Sequence, residues 1–255
     1  MTQVCSKRVY NFALFPRFLK CIGMRLTNIK PDWRILYAIS AAAVLAGLLL
    51  DRPALYIVAK PLLMFNLAMY FASATKGYPR WRVYVIAALV FSWAGDVFLI
   101  SSEWFIAGLV SFLIAHVFYI IAYQKTGAAT GELKPLDIVK FLLYGVVLIW
   151  LIYPSLGDLL IPVLIYALVL LGMGVWAHKR RGATSEASFK LVALGAILFA
   201  ISDGLIAVNK FAWPIPAERI LIMSIYMTAQ YLIVQGLIQH TERTWKLGEI
   251  TKSPF

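Results

Sequence analysis

The sequence predicts an all-α membrane protein, a polytopic bundle of eight transmembrane helices with both termini on the cytoplasmic side. Three observations predict it. The 255-residue chain is 62% hydrophobic and only 14% charged, where a soluble domain carries nearer a quarter charged residues. Its apolar residues come in long continuous runs, as membrane-crossing helices require, with none of the short alternating segments of barrel strands. Lysine and arginine are also partitioned unequally between alternate loops.

Residues 1–31 read as a basic leader. The run Phe12-Ala13-Leu14-Phe15 is too short for a signal-peptide core and no small-residue cleavage site follows it. The segment is therefore expected on the cytosolic membrane surface, and Met24 is an alternative start. Cys5 and Cys21 have neither metal-ligand spacing nor a disulfide framework, and a cytoplasmic leader would keep them reduced. Eight crossings then follow, expected at Trp33–Leu50, Ala54–Ser73, Trp81–Ser101, Trp104–Gln124, Ile138–Tyr153, Leu159–Ala177, Phe189–Asn209 and Pro216–Gln239. The fifth is short and ends at Tyr153-Pro154, since the residue before a proline avoids the helical region. Tight loops make neighbours antiparallel and give one bundle over residues 32–240, with 241–255 as a cytoplasmic tail.

Of the 24 lysines and arginines, 20 fall on the leader's side of the alternation and only Arg52, Lys210 and Arg219 on the other. Lys60 is left inside a crossing. This asymmetry orients the bundle and explains the net charge of +12 as a topology signal. The basic residues form no groove with interleaved aromatics, so nucleic acid is not an expected partner. Trp33, Trp81, Trp104 and Trp213 sit near helix ends and read as interface anchors. The chain is expected to be a multi-pass integral protein of a bacterial inner membrane or an internal eukaryotic membrane.

The crossings carry ionisable residues that packing does not ask for. A carboxylate at a helix centre costs roughly 3 kcal/mol on insertion scales. Yet Asp96 lies roughly 8 Å, Lys60 about 9 Å and Asp203 roughly 10 Å below the outer ends of their helices, taking 1.5 Å per residue. Asn66 and His116 lie deeper, at about 18 Å by the same rise. Tyr119 is one turn beyond His116, while Tyr226 and Gln230 are one turn apart on the last crossing. Ser92 lies one turn before Asp96. Such a layered polar cluster suits a water-containing cavity. Two carboxylates near one lysine can supply a general acid and a general base, with His116 in either role. The plain structural readings are an Asp–Lys tie between helices, an interhelical bond for His116 and a local bond for Ser92. Crossings three and seven share a small residue before Asp (Gly95-Asp96, Ser202-Asp203). Crossings four and eight share Ala before a polar residue (Ala115-His116, Ala229-Gln230). These matches hint at a four-plus-four duplication. No metal is expected, because His178 and His240 fall at the cytoplasmic ends, far from the aspartates. No cofactor is expected either.

Taken together, Ser92-x-x-Gly95-Asp96-x-x-Leu99 and Phe105-x-x-Gly108-Leu109-x-x-Phe112-x-x-x-His116-x-x-Tyr119 resemble the lysoplasmalogenase (YhhN-type) family of membrane proteins. So do Lys60-Pro61, Phe199-x-x-Ser202-Asp203, Asn209-Lys210-Phe211 and Tyr226-x-x-Ala229-Gln230. The resemblance spans about residues 35 to 240 and leaves the leader outside it. It implies hydrolysis of the vinyl ether bond of a lysophospholipid, giving a fatty aldehyde and a glycerophospho-alcohol, without a cofactor. It places catalysis on Asp96 and Asp203, with His116 assisting. Lys60, Asn66, Ser92, Tyr119, Ser202, Asn209, Lys210, Tyr226 and Gln230 are expected to hold substrate, the lysines at its phosphate. Two other classes remain. A transporter would also bury Asp and Lys, but Pro61 and Pro162 are the only prolines inside crossings. An intramembrane aspartyl protease would need a GxGD motif, and Trp93-Ala94-Gly95-Asp96 lacks its first glycine.

Overall fold

The structure is a computed structural model that describes residues 31–77 and 80–250, with 243–250 given by backbone alone. Among the described residues it is all-helical, with eight main α-helices and no strand. They are α1 (Trp33–Leu49), α2 (Pro53–Ala74), α3 (Arg82–Phe98), α4 (Phe105–Tyr123), α5 (Pro135–Ile152), α6 (Leu160–His178), α7 (Glu186–Phe211) and α8 (Glu218–Ile250). Each expected crossing coincides with one helix. Six segments are long and apolar enough to cross a membrane, those containing α2, α4, α5, α6, α7 and α8, and α1 is a shorter apolar helix. Expectations for the leader, with Cys5, Cys21 and Met24, lie outside the described residues.

The helix ends follow local chemistry. Pro53 and Pro135 occupy first-turn positions, where the missing N–H costs nothing. Ser185 caps α7 by accepting the Ser188 amide at 3.2 Å. Beyond α4 the chain leaves helical geometry at Gly127, whose φ of +114° suits glycine. α3 ends at Phe98, before the expected Ser101, because residues 99–101 turn into the short 3₁₀ segment Ser102–Trp104. α8 runs well past the expected Gln239. Hydropathy marks where apolar sequence stops, which need not be where backbone hydrogen bonding stops.

Two antiparallel hairpins, α3–α4 and α7–α8, form the middle of the bundle, with α1–α2 on one flank and α5–α6 on the other. Small residues set the close approaches. A Cβ on Gly195 of α7 would lie 2.8 Å from the Ala229 carbonyl oxygen and 2.7 Å from Ile233 Cγ1, both on α8. In α3–α4, a Cβ on Gly95 would meet the Phe112 ring at 2.6 Å. At the bundle end carrying the α4–α5 and α6–α7 connections, fully buried Arg180 donates from Nε to the Thr126 carbonyl (3.3 Å) and from Nη2 to Ser188 Oγ (3.1 Å). Burial pushes its guanidinium down to about 10, so it stays cationic near neutral pH. Arg181 pairs with Asp137 at 2.7 Å. These contacts tie α4, α5, α6 and α7 together at the end opposite the site described below.

Replacing Gly195 by valine is expected to cost about 1–3 kcal/mol through overpacking. Gly172→Ala, where a Cβ meets nothing closer than Ile120 Cδ1 at 3.9 Å, should not lower stability. Thermal unfolding in detergent checks the pair, and a Gly195→Val protein as stable as its parent would contradict the packing.

Candidate active site

Asp96 sits in the last turn of α3, where α2 and α8 each bring a side chain to it. Its carboxylate is buried, with the Lys60 ammonium of α2 at 3.7 Å from Oδ1 and the Tyr226 hydroxyl of α8 donating to Oδ2 at 2.8 Å. Behind Tyr226 runs a chain of buried hydrogen bonds. Tyr119 Oη donates to Gln230 Oε1 (2.6 Å), and Gln230 Nε2 donates to Ser92 Oγ (3.1 Å) and to Tyr226 Oη (3.4 Å). Four residues expected to touch substrate (Ser92, Tyr119, Tyr226 and Gln230) are thus joined into a scaffold that aims Asp96. A buried polar group needs such partners, because an unmade hydrogen bond there costs about 1–3 kcal/mol.

Asp203, about two turns before the C-terminal end of α7, has different company. Tyr166 of α6 donates a short hydrogen bond to its Oδ2, and His116 Nε2 of α4 lies 3.9 Å from the same oxygen. No lysine or arginine is paired with it among the described residues. His116 is fully buried, stacked edge-on against Phe199 (centroids 4.8 Å apart) and Tyr166 (5.4 Å), and neither ring nitrogen has a hydrogen-bond partner among the described residues. Phe112, Phe199 and Tyr226 meet edge to face, Tyr226 being the residue bonded to Asp96 and Phe199 the one set against His116. Each aspartate is therefore contacted by the second helix of the other hairpin: Asp96 of α3 by α8, Asp203 of α7 by α4.

Both carboxylates line one cavity of about 320 Å³, which Lys60, Ser202, Asn209, Lys210 and Tyr226 line as well. Its rim is formed by the α3–α4 and α7–α8 connections, including Ser101, Ser102, Glu218 and Arg219. The sequence puts these helix ends on the lysine- and arginine-poor side. Asn209 Oδ1 caps the turn after α7 by accepting the Ile215 amide at 2.8 Å. Ser202 Oγ donates to the Ile222 carbonyl at 3.2 Å. Lys210 lies over the Phe105 ring, 4.3 Å from its centroid. Asn66 stands apart from the cavity lining: its amide donates to Ser40 Oγ (2.8 Å) and the Leu36 carbonyl (3.3 Å), tying α2 to α1. Among the described residues, no three His, Cys, Asp or Glu side chains converge as a metal site would need.

Tyr166 escaped the sequence reading, as did Tyr56, Glu218 and Arg219 of the cavity wall. The signal for Tyr166 was its place: a tyrosine well inside an apolar helix, away from the interfaces where tyrosines gather, has a buried hydroxyl that needs a partner.

Residues 55–237 match the YhhN family. The chain belongs to that family. Among similar curated proteins, Lysoplasmalogenase TMEM86A of Homo sapiens is 33% identical over 164 residues, 62% of this chain and 66% of that protein. Lysoplasmalogenase TMEM86B of Sus scrofa is 34% identical over 152 residues, 60% of this chain and 62% of its own length. Lysoplasmalogenase of Mycobacterium tuberculosis is 30% identical over 186 residues, 69% of each chain. The match thus spans a little under two thirds of the first two relatives. No solved structure matches the chain. The YhhN match takes in Asp96, Asp203, Lys60 and His116, and ends beyond Gln230.

Removing one partner of a buried ion pair leaves the other charge unmatched, at a cost of about 3–5 kcal/mol. Lys60→Leu is expected to destabilise the bundle by that amount, and the double variant Lys60→Leu/Asp96→Leu to recover most of the loss. Thermal unfolding of the three proteins checks this. A single variant no less stable than the double would mean that Lys60 and Asp96 are not coupled.

Proposed function

We propose that this YhhN-family protein is a membrane hydrolase that cleaves the vinyl ether bond of lysoplasmalogens. The observation that carries the reading is that Asp96 and Asp203, from helices far apart in sequence, line the same cavity. The activity named for its curated relatives gives the substrate class.

The chemistry needs one acid, one anion and one water. A proton goes to the β-carbon of the C=C–O unit, leaving an oxocarbenium ion. Water adds to that cation and returns a proton, and the resulting hemiacetal collapses to a fatty aldehyde and a glycerophospho-alcohol. The two aspartates differ in a way that divides the labour. Asp96 has the Lys60 counter-cation and a hydrogen-bonded scaffold behind it, which fits an anion that stabilises the oxocarbenium ion and orients water. Asp203 is paired with no lysine or arginine among the described residues, and the Tyr166 hydroxyl on Oδ2 leaves Oδ1 for the proton. We assign Asp203 as the proton donor. His116, 3.9 Å from that carboxylate and otherwise unbonded, takes the proton that the adding water releases and passes it back to Asp203. At the rim, Lys210 and Arg219 are placed for the substrate phosphate.

The same reading includes the topology. All eight helices cross the membrane, both termini face the cytoplasm, and the cavity opens on the opposite side, where residues 52, 210 and 219 carry the few positive charges. Residues 1–31 then form a cytosolic leader ahead of the hydrolase-like bundle, and 241–255 a cytoplasmic tail.

Positioned general acids contribute about 10²–10⁴-fold, so Asp203→Asn and Asp96→Asn are each expected to lower aldehyde release at least 10²-fold in folded protein. The saturated ether and acyl counterparts should yield no aldehyde. Mass spectrometry of intact lipids with purified protein reads both results. Near-normal turnover in both variants removes the catalytic assignment, and no vinyl ether cleavage by the parent removes the activity.

A further inference from the structure

Beside Asp203 the polar cavity meets a second, apolar pocket of about 60 Å³, walled by α4, α5, α6 and α7. Apart from the Asp203 carboxylate and the Tyr166 phenol its lining is apolar, and Leu99, Phe105, Phe112 and Ile206 line both spaces. The carboxylate thus stands where a polar and an apolar compartment join. A volume of that size holds roughly four to six water-sized groups, taking about 10–15 Å³ for each. It is too small for a long hydrocarbon chain.

The pocket has a neighbour on the lipid-facing flank. Ile149 of α5 and Ala167 of α6 line both the apolar pocket and an open groove of about 560 Å³ between those helices. The groove's other walls face outward: Trp150 is 75% exposed, Leu168 74% and Leu142 62%. A surface so apolar is solvated by lipid chains in a bilayer. Ile149 and Ala167 are the residues common to the two spaces.

We propose that the hydrocarbon chain of the substrate runs from Asp203 through the apolar pocket, past Ala167 and Ile149, and out between α5 and α6. Its far end then stays among the lipids while its head group occupies the polar cavity. This rests on the reading of the substrate as a single-chain vinyl ether lipid, and adds the path by which it lies in the protein. Only the first few carbons beyond the reacting bond are enclosed. The remaining carbons are in a lipid-like setting before and after binding, so they contribute little to discrimination until the exit is narrowed.

The test compares lysolipids with 16-carbon and 4-carbon alkenyl chains on the full-length protein in nanodiscs, reading kcat/KM for aldehyde release. Ala167→Phe is expected to lower the 16-carbon to 4-carbon ratio at least tenfold. Ile149→Ala should hold or raise that ratio, and Leu143→Phe, on the exposed face of α5 outside either pocket, should leave it unchanged. An Ala167→Phe protein whose ratio stays at the parent value overturns the route. A second measurement does not depend on variants: a saturated-ether lysolipid with a diazirine in mid-chain, where the chain would pass between α5 and α6, is photolysed on the parent protein. Labelling within residues 142–150 and 164–171 supports the route, and labelling of α1 or α2 instead, or none above the lipid background, overturns it. A parent that releases aldehyde from neither substrate sinks the proposed activity, and the photolabel still decides the path.

Discussion

A carboxylate inside an apolar helical bundle is tolerated only where the surrounding helices supply partners for it, and this protein buries two. The burden falls on several helices at once. Asp96 draws a lysine from α2 and a tyrosine from α8, and that tyrosine is held by a glutamine, which is held by a tyrosine of α4. Asp203 draws a tyrosine from α6 and approaches a histidine of α4. Satisfying both carboxylates therefore fixes the rotation of four helices, α2, α4, α6 and α8, relative to α3 and α7, and glycines such as Gly95 and Gly195 let neighbouring helices close to the distances the bonds need.

The consequence for chemistry is asymmetry. Two acids in equivalent settings would compete for one role. Here one is matched with a cation and backed by an amide-centred network. The other faces aromatic rings, a phenol and a small apolar pocket. Phe112, Phe199 and Tyr226 pack edge to face beside them, Tyr226 bonded to Asp96 and Phe199 set against His116, and both acids remain on one cavity. The opposite end of the bundle does something different. Arg180 and the Arg181–Asp137 pair join helix ends there, while the cavity lies at the aspartate end.

Much of this was legible in the sequence, for identifiable reasons. Hydropathy and the distribution of lysine and arginine placed eight helices, with every end but the far end of α8 within a few residues, and rise per residue put Lys60, Asp96 and Asp203 at one level. Depth alone could not say which way each helix turns. These helices are apolar nearly all round, so no polar stripe marks their inward face. That is why Asn66, at an inviting depth, points to α1, and why Ser92, Tyr119 and Gln230 support Asp96 from behind. Tyr166 was missed because its helix carries no charged residue to draw the eye. The far end of α8 was missed because backbone helix continues where the apolar signal has stopped.

The central claim is that one cavity presents both carboxylates to one ether bond. A solved structure of the protein with a saturated ether lysolipid, which has no double bond to protonate, tests it most directly. The account predicts the ether linkage between Asp96 and Asp203, with the phosphate towards Lys210 and Arg219. An analogue bound elsewhere, with the two carboxylates turned away from each other across packed side chains, would contradict it.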